Sequence, residues 1–312
     1  MAMSHQPSAM PVRPLLKWAG GKRQLLPQLR RFYPEHFDRY IEPFFGSGAV
    51  FFDLWSAGRL RERGAVLVDS NPDLIGCYET VRDRPDEVAA ALGELAAAHA
   101  LDGSAHYYRV RDRQFNPLRQ RLRRADGRLP YTPELAAMFV YLNRTGFNGL
   151  FRVNASGAYN VPAGRYDRPA ICDRARLFGV AAALASPRVS LRWGSFESVL
   201  SLAGAGDFLY VDPPYAPVSA TANFTSYTAS KFLAADQARL QHAMIELAGR
   251  GCHVLVSNST AHEIALLYDT SLDARAAGLR AHRVPARRAI NSHAARRGAV
   301  SEYIITNGPI RT

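Results

Sequence analysis

"YIEPFFGSGAVFFDLWSAGRLRERGAVLVD", residues 40–69, switches periodicity twice. Tyr40, Ile41 and Glu42 read as a short strand that runs into the loop PFFGSG. Helical patterning follows from Val50 to Trp55 and stops at Gly58, and Ala65 to Val68 form a second apolar strand closed by Asp69. A helix beginning near Pro72 carries Leu74, Ile75 and Tyr78 on one face. Strand, glycine loop, helix and a strand with a terminal acid are how an open α/β sheet begins.

Upstream of this unit, Leu25 to Phe32 predict an amphipathic helix, and residues 1–13 a flexible tail. Downstream the rhythm returns only at Val189 to Trp193. It continues with a strand at Phe208 to Asp212, a helix over Ala234 to Ala248, a strand at His253 to Val256, a helix near His262 to Tyr268 and a last strand at Glu302 to Ile305. Between these blocks the chain is helical in pattern and crowded with Arg109, Arg111, Arg113, Arg119, Arg121, Arg123 and Arg124. It ends in "NRTGFNGLFRVNASGAYNVPAGRYDRP", residues 143–169, a loop dense in Asn, Gly, aromatics and Arg. Loops longer than about 12–15 residues inside a domain are usually functional or disordered, and the aromatic content argues against disorder. The expected organisation is a sheet domain of residues 14–84 and 187–312, interrupted at 85–186 by a basic, mainly helical insertion.

Of the 312 residues, 39 are Lys or Arg and 27 Asp or Glu, giving a net charge of +12 and a pI near 9.9. A polyanionic partner such as nucleic acid fits that balance, and so does a merely soluble basic protein. Cys77, Cys172 and Cys252 are far apart and form no zinc-type pattern, which suits a reducing, intracellular compartment. The sequence has no apolar run of about eighteen residues, and MAMSHQPSAMPVRP lacks the apolar core of a signal peptide.

In EPFFGSG, Gly46 and Gly48 let backbone N–H groups come close to a ligand, although two glycines alone also fit a tight turn. Asp69 stands where an acid accepts ribose hydroxyls in a nucleoside-binding sheet. The third glycine of the dinucleotide fingerprint is missing, so a nucleoside cofactor without a pyrophosphate is favoured over NAD. In PLLKWAGGK, Trp18 and Lys22 flank Gly20 and Gly21, as a ligand-stacking ring and a charge or as an anchored helix start.

In "LYVDPPYAP", residues 209–217, a core strand is stopped by an acid, two prolines and a tyrosine. Asp212 lies at the carboxyl end of its strand, where open α/β sheets bind ligands. Prolines carry no N–H and have fixed φ angles, so the Asp212 carboxylate and the Pro213 carbonyl form a preset pair of acceptors. An amino group could donate one hydrogen to each and keep its lone pair free for attack. Tyr215 could stack on the ring bearing that amine, a contact worth roughly 1–3 kcal/mol per base. The target is then adenine, or less readily cytosine, rotated out of its duplex. A strand-ending acid before a Pro-rich turn is the plain alternative.

Together these segments resemble the Dam-type DNA adenine-N6 methyltransferases, the α-group of amino-methyltransferases. LLKWAGGK, EPFFGSG, LVDSNPDLI, the segment ending in GRY, DPPY, VLVSNST and the closing RRAINSHAARRGAVSEYIITN occur in that family's order, from about Pro14 to Asn307. The resemblance implies a Rossmann-like methyltransferase sheet with helices on both faces and an inserted DNA-recognition domain. It implies S-adenosylmethionine as methyl donor, no metal, and double-stranded DNA as partner. Trp18, Lys22, Asp69 and Asp212 then match cofactor contacts, and Glu42, Phe44, Gly46 and Gly48 the floor beneath the methionine moiety. Asp212, Pro213, Pro214 and Tyr215 match the catalytic set.

Asn148, Leu150, Arg152, Pro162 and Tyr166 match positions that touch bases or shape the contact loop, with Arg152 suited to guanine and Leu150 to a thymine methyl. Asn143, Arg144, Asn160 and Arg165 match phosphate holders or loop stabilisers, and GATC is the implied site. Phe224 and Tyr227 of ANFTSYTASKF match a variable lid. The arginine-rich stretch either grips phosphate, the favoured reading, or is a solvated helix face. RRAINSHAARR, a loop with Gly298, carries the same two readings and is expected to fold on DNA. The resemblance further implies a monomer, free of membranes, in the cytoplasm at the nucleoid, with a cognate restriction endonuclease as the protein partner it leaves open. Cytosine-N4 or RNA methylation, and a catalytically silent DNA-binding relative, are the rival readings.

Overall fold

The computed structural model describes residues 11–18, 20–217, 232–287 and 299–311. Residues 1–10 of the expected tail, Phe224 and Tyr227 of the expected lid, and most of RRAINSHAARR with Gly298 lie outside the described residues. Strands β1 (Arg39–Glu42), β2 (Gly64–Asp69), β3 (Val189–Trp193), β4 (Phe208–Val211), β5 (His253–Ser259), β6 (Arg280–Arg287) and β7 (Ala299–Thr306) form one sheet. Their order is β3-β2-β1-β4-β5-β7-β6. The first five are parallel, and β7 runs antiparallel between β5 and β6. The chain leaves β1 toward β2 and β3 on one side and resumes with β4 and β5 on the other. The carboxyl ends of β1 and β4 therefore flank the point where connections diverge, and a crevice opens there.

Helices are α1 (Leu26–Leu29), α2 (Ala49–Ser56), α3 (Pro72–Asp83), α4 (Pro85–Arg109), α5 (Asn116–Leu122), α6 (Pro133–Thr145), α7 (Arg174–Leu184), α8 (Val199–Leu202), α9 (Ala234–Gly249), α10 (His262–Ile264) and α11 (Leu272–Ala276). Sheet residues alternate between two buried clusters. Tyr40, Leu67, Phe208, Tyr210 and Leu255 pack with side chains of α2, α3, α4, α6 and α7. Ile41, Val66, Val68, Leu209, Val211 and Val256 pack with Leu240, Met244 and Leu247 of α9. Covering both faces explains why the central strands are apolar throughout and do not alternate with polar residues.

Within residues 85–186, α4 is interrupted at Gly103 (φ 51°, ψ −123°) and is followed by a π-helical turn, Val110–Phe115. Every residue of α6 except Glu134 is buried, because α6 packs against both α3 and α4. The last helix, α7, lies on α3 and β3. One apolar cluster thus runs from the sheet into residues 85–186.

The expected helix at Leu25–Phe32 is instead two 3-10 turns flanking the short α1. The expected helix at His262–Tyr268 is α10 followed by a π-helical turn, Ala265–Asp269. β6 was not expected: its sequence, RAHRVPAR, is basic and contains Pro285. Those are features of an edge strand, which β6 is, and they mask a strand pattern. Among the described residues no helix is long and apolar enough to cross a membrane.

Candidate active site

The crevice is built first by backbone. After β1 the chain turns through Gly46 (φ 49°) and Gly48 (φ 69°) before α2 begins. A Cβ on Gly46 would stand 3.0 Å from the Trp18 indole, and one on Gly48 would stand 2.4 Å from the Phe45 ring. Glycine is required at both positions, so that the loop can lie flat against its aromatic neighbours. The Gly46 N–H donates to Asp69 Oδ2 and the Asn71 N–H to Asp69 Oδ1, each at 2.9 Å. Asp69 therefore staples the glycine loop to the end of β2, and its carboxylate keeps acceptor capacity beyond those two bonds. Burial pushes its pKa up to about 6 against the two backbone donors.

Glu42, buried at the end of β1, accepts from the Tyr40 hydroxyl at 2.8 Å. Burial, with Asp212 and Asp69 close by, holds its pKa well above the usual carboxylate range. The opposite wall is aromatic: Phe44 stacks on Phe196 (5.4 Å, 21°), and Phe232 meets Phe44 edge-on. Trp18 in turn stacks on Phe151 (6.0 Å, 21°), which joins the crevice to the long loop.

The segment after β4 is held on three sides. The Pro214 carbonyl accepts from Gln237 Nε2 at 2.9 Å, and Gln237 Oε1 accepts from Asn258 Nδ2 at 3.0 Å. The Ala216 carbonyl accepts from the Ser259 hydroxyl at 2.7 Å. Among the described residues the Pro213 carbonyl receives no hydrogen bond. Asp212 Oδ1 accepts from the Ser257 hydroxyl at 2.9 Å, and Tyr210 donates to that hydroxyl at 3.0 Å. Burial raises the Asp212 pKa, opposed by Lys22 and Ser257.

Lys22 lies somewhere the sequence did not suggest. Its ammonium sits 2.7 Å from Asp212 Oδ1, donates to the Gly20 carbonyl at 2.6 Å, and stands 4.5 Å over the Tyr215 ring. The residue is only 7% exposed. An N–H donor thus already occupies the space between the carboxylate and the aromatic face.

Residues 18–290 match the family model described as D12 class N6 adenine-specific DNA methyltransferase. The chain belongs to this family. It is 36% identical over 304 residues to a type II methyltransferase, M1.LlaDCHI, of Lactococcus lactis subsp. cremoris, covering 97% of this chain and 98% of that one. It is 38% identical over 259 residues to the type II methyltransferase M.MjaIII of Methanocaldococcus jannaschii, covering 80% and 85%. It is 35% identical over 297 residues to the DNA adenine methylase of Escherichia coli strain K12, covering 95% and 96%.

As a D12 class adenine-specific DNA methyltransferase, the protein methylates adenine N6 in DNA, with S-adenosylmethionine as methyl donor. The crevice suits that donor. The carboxylates of Glu42, Asp69 and Asp212 stand at the ends of the neighbouring strands β1, β2 and β4, and carboxylates are the chemistry that suits a cationic sulfonium and ribose hydroxyls.

The methyltransferase's long loop is tied down by buried groups. Asn143 donates to the carbonyls of Lys17 (2.7 Å) and Gly149 (3.0 Å) and accepts from the Lys17 N–H at 2.8 Å, so it stabilises the loop. Arg144 is buried too, and burial together with Arg176 pushes its pKa down to about 10. Asn160 is committed to Arg152, whose Nε donates to Asn160 Oδ1 at 2.8 Å. Bridges Gly146↔Ala163 and Val153↔Tyr159 fold the loop back on itself. Phe147, Asn148 (φ 54°), Arg152, Pro162, Arg165 and Tyr166 are left exposed, with Leu150 half-buried. The Pro162 carbonyl accepts from the Phe147 N–H at 2.9 Å, and Lys17 Nζ stands 4.1 Å over the Tyr166 ring.

The arginine-rich stretch divides. Arg119 is buried, bidentate on Asp73 at 2.5 and 2.7 Å, and also donates to the Gly157 carbonyl at 2.5 Å. The expected phosphate contact does not hold for Arg119, because its charge is spent on the α3 acid. Arg111 is engaged with Asp112 and the Val161 carbonyl, and Arg109 with Asp102. Arg113, Arg121, Arg123 and Arg124 are exposed, with no ion pair among the described residues.

Among the partners of the residues singled out in the sequence, Lys17 at Tyr166, Phe196 at Phe44, Tyr210 and Ser257 behind Asp212, Gln237 at Pro214 and Glu302, which accepts from the Tyr215 hydroxyl, were not expected. For Ser257 a signal existed, since a hydroxyl inside the apolar run VLVS is a buried polar group that must find a partner.

Proposed function

We propose that Asp212, Pro213, Pro214 and Tyr215 form the slot for the N6 amine of an adenine rotated out of duplex DNA, in the sequence GATC. The amine donates one hydrogen to Asp212 and one to the Pro213 carbonyl, while Tyr215 stacks on the purine, and Pro214, anchored through Gln237, keeps the turn rigid. Bound S-adenosylmethionine supplies an electrophilic methyl group on a sulfonium. As the nitrogen takes on positive charge, its bond to the anionic Asp212 strengthens, so Asp212 stabilises the transition state more than the bound substrate. Asp69 is the acceptor for ribose hydroxyls, Trp18 and Phe44 are walls, and Glu42, Gly46 and Gly48 are the floor of the cofactor site.

The observation that supports this reading is the Lys22 ammonium held between Asp212 Oδ1 at 2.7 Å and the Tyr215 face at 4.5 Å. A slot that takes an sp³ N–H donor in this way can take an amine. Lys22 and the target amine compete for the same oxygen, so Lys22 turns away when the base enters and is then free to meet the cofactor.

Residues 85–186 are the target-recognition insertion. Arg152 reads guanine, Leu150 a thymine methyl, and Asn148, Pro162 and Tyr166 shape the reading face. The protein works as a monomer in the cytoplasm at the nucleoid, with or without a cognate restriction endonuclease. Mass spectrometry of nucleosides from DNA treated with isotopically labelled S-adenosylmethionine tests the target, and sequencing of the methylated positions tests the site. Label confined to N6-methyladenine within GATC is expected. Label in N4-methylcytosine contradicts the amine assignment, and N6-methyladenine in another sequence contradicts the site alone.

A further inference from the structure

We infer that Glu302 is a positioning residue for methyl transfer, setting the ring plane of Tyr215 and, through it, the pose of the stacked adenine beside Asp212. The Tyr215 hydroxyl donates to Glu302 Oε2 at 2.7 Å. The two prolines before Tyr215 fix its backbone, yet the ring keeps its own torsions, and a terminal sp³–sp² torsion is soft. A bond at the para position, the far end of that lever, is the contact that removes the remaining tilt. Because the acceptor is ionisable, the bond can be charge-assisted, and so shorter and stiffer than a neutral one.

Glu302 has a rigid mount. It stands on β7 in the interior of the sheet, opposite Ser259 of β5 on one side and Val284 of β6 on the other. Ser259 itself holds the Ala216 carbonyl at 2.7 Å. The turn after β4 is thereby held to β5 at its main chain and to the neighbouring β7 at the ring. The face of Tyr215 held in this way is the one over which Lys22 Nζ sits at 4.5 Å, so tilting the ring changes the width of the slot beside Asp212.

The inference rests on the amine-slot reading, and the experiment separates the two. Kinetic constants are measured for Glu302→Ala, Glu302→Gln, Tyr215→Phe and the double variant Tyr215→Phe/Glu302→Ala, with Asp212→Ala alongside. Glu302→Ala is expected to lower kcat about tenfold, the size of one hydrogen bond to a charged acceptor, with KM for DNA and cofactor within about twofold. Glu302→Gln keeps a carbonyl acceptor and is expected to recover to within about threefold of the unsubstituted rate. Tyr215→Phe is expected to match Glu302→Ala, and the double variant to be no slower than either, since all three remove the same bond. Additive losses, a Glu302→Gln as slow as Glu302→Ala, or kcat, KM and melting temperature falling together overturn the inference. If Glu302→Ala does not fold, Tyr215→Phe and Glu302→Gln decide by the same criteria. If the amine-slot reading fails, Asp212→Ala keeps its transfer rate. If only the inference fails, Asp212→Ala is inactive while Glu302→Ala transfers normally.

Discussion

At the scale of single residues, the site works by directing acceptors. Asp212 Oδ1 is shared by Ser257 and Lys22, and the Pro213 carbonyl has no hydrogen-bond partner among the described residues. Arg152 is exposed and its Nε donates to Asn160 Oδ1 at 2.8 Å, and on the proposed reading its remaining guanidinium donors are the ones that meet guanine. Arg152→Ala should relax discrimination at one base pair by about 1–3 kcal/mol, read from kcat/KM on matched and mismatched duplexes. Equal weakening on every sequence would make Arg152 a phosphate clamp. The end of β4 was legible in the sequence, because prolines cannot continue a ladder, and the strand does stop at Val211 just before DPPY. Ser257 and Glu302 were not. They reach the site from strands 45 and 87 residues further along, and a polar residue in a strand names no partner until the sheet order is known.

At the scale of elements, the arginine-rich stretch 109–124 is less a uniform phosphate grip than a scaffold with a charged rim. Arg119 clamps α5 to Asp73 of α3 and to the loop at Gly157, with the Tyr131 hydroxyl on the same acid at 2.9 Å. Breaking such a buried pair leaves an unpaired carboxylate, so Arg119→Ala should cost about 3–5 kcal/mol of stability in denaturant titrations. Arg121→Ala, at an exposed position, should leave stability unchanged and flatten the dependence of log Kd for DNA on log salt by about one unit of slope. If Arg119→Ala were the one to change the salt slope with no loss of stability, the scaffold assignment would be wrong. Arginine spacing could not separate these roles, because the pattern records charge and not the acid waiting on another helix. β6 was hidden for a related reason, since its edge position favours the basic residues and proline that disguise a strand. The parallel strands, buried on both faces, were plain in the sequence as apolar runs.

At the scale of the whole molecule, the sheet order places Glu42, Asp69 and Asp212 at neighbouring strand ends around one divergence point. The Trp18–Phe151 stack joins the long loop of residues 143–169 to the Gly46 turn. A net charge of +12 draws the chain to DNA over distances up to about a Debye length, about 8 Å at physiological salt. On the proposed reading binding and chemistry are served by different groups, and removing the second should spare the first. The direct measurement is the comparison of Asp212→Ala with the unsubstituted protein for both single-turnover methyl transfer and equilibrium affinity for the same duplex. The account expects transfer to fall at least about a thousandfold, on the scale of losing a principal electrostatic contact in the transition state, with Kd changed by no more than a few-fold. Transfer that persists, or affinity that collapses in step with it, would mean that Asp212 does not hold the reacting amine.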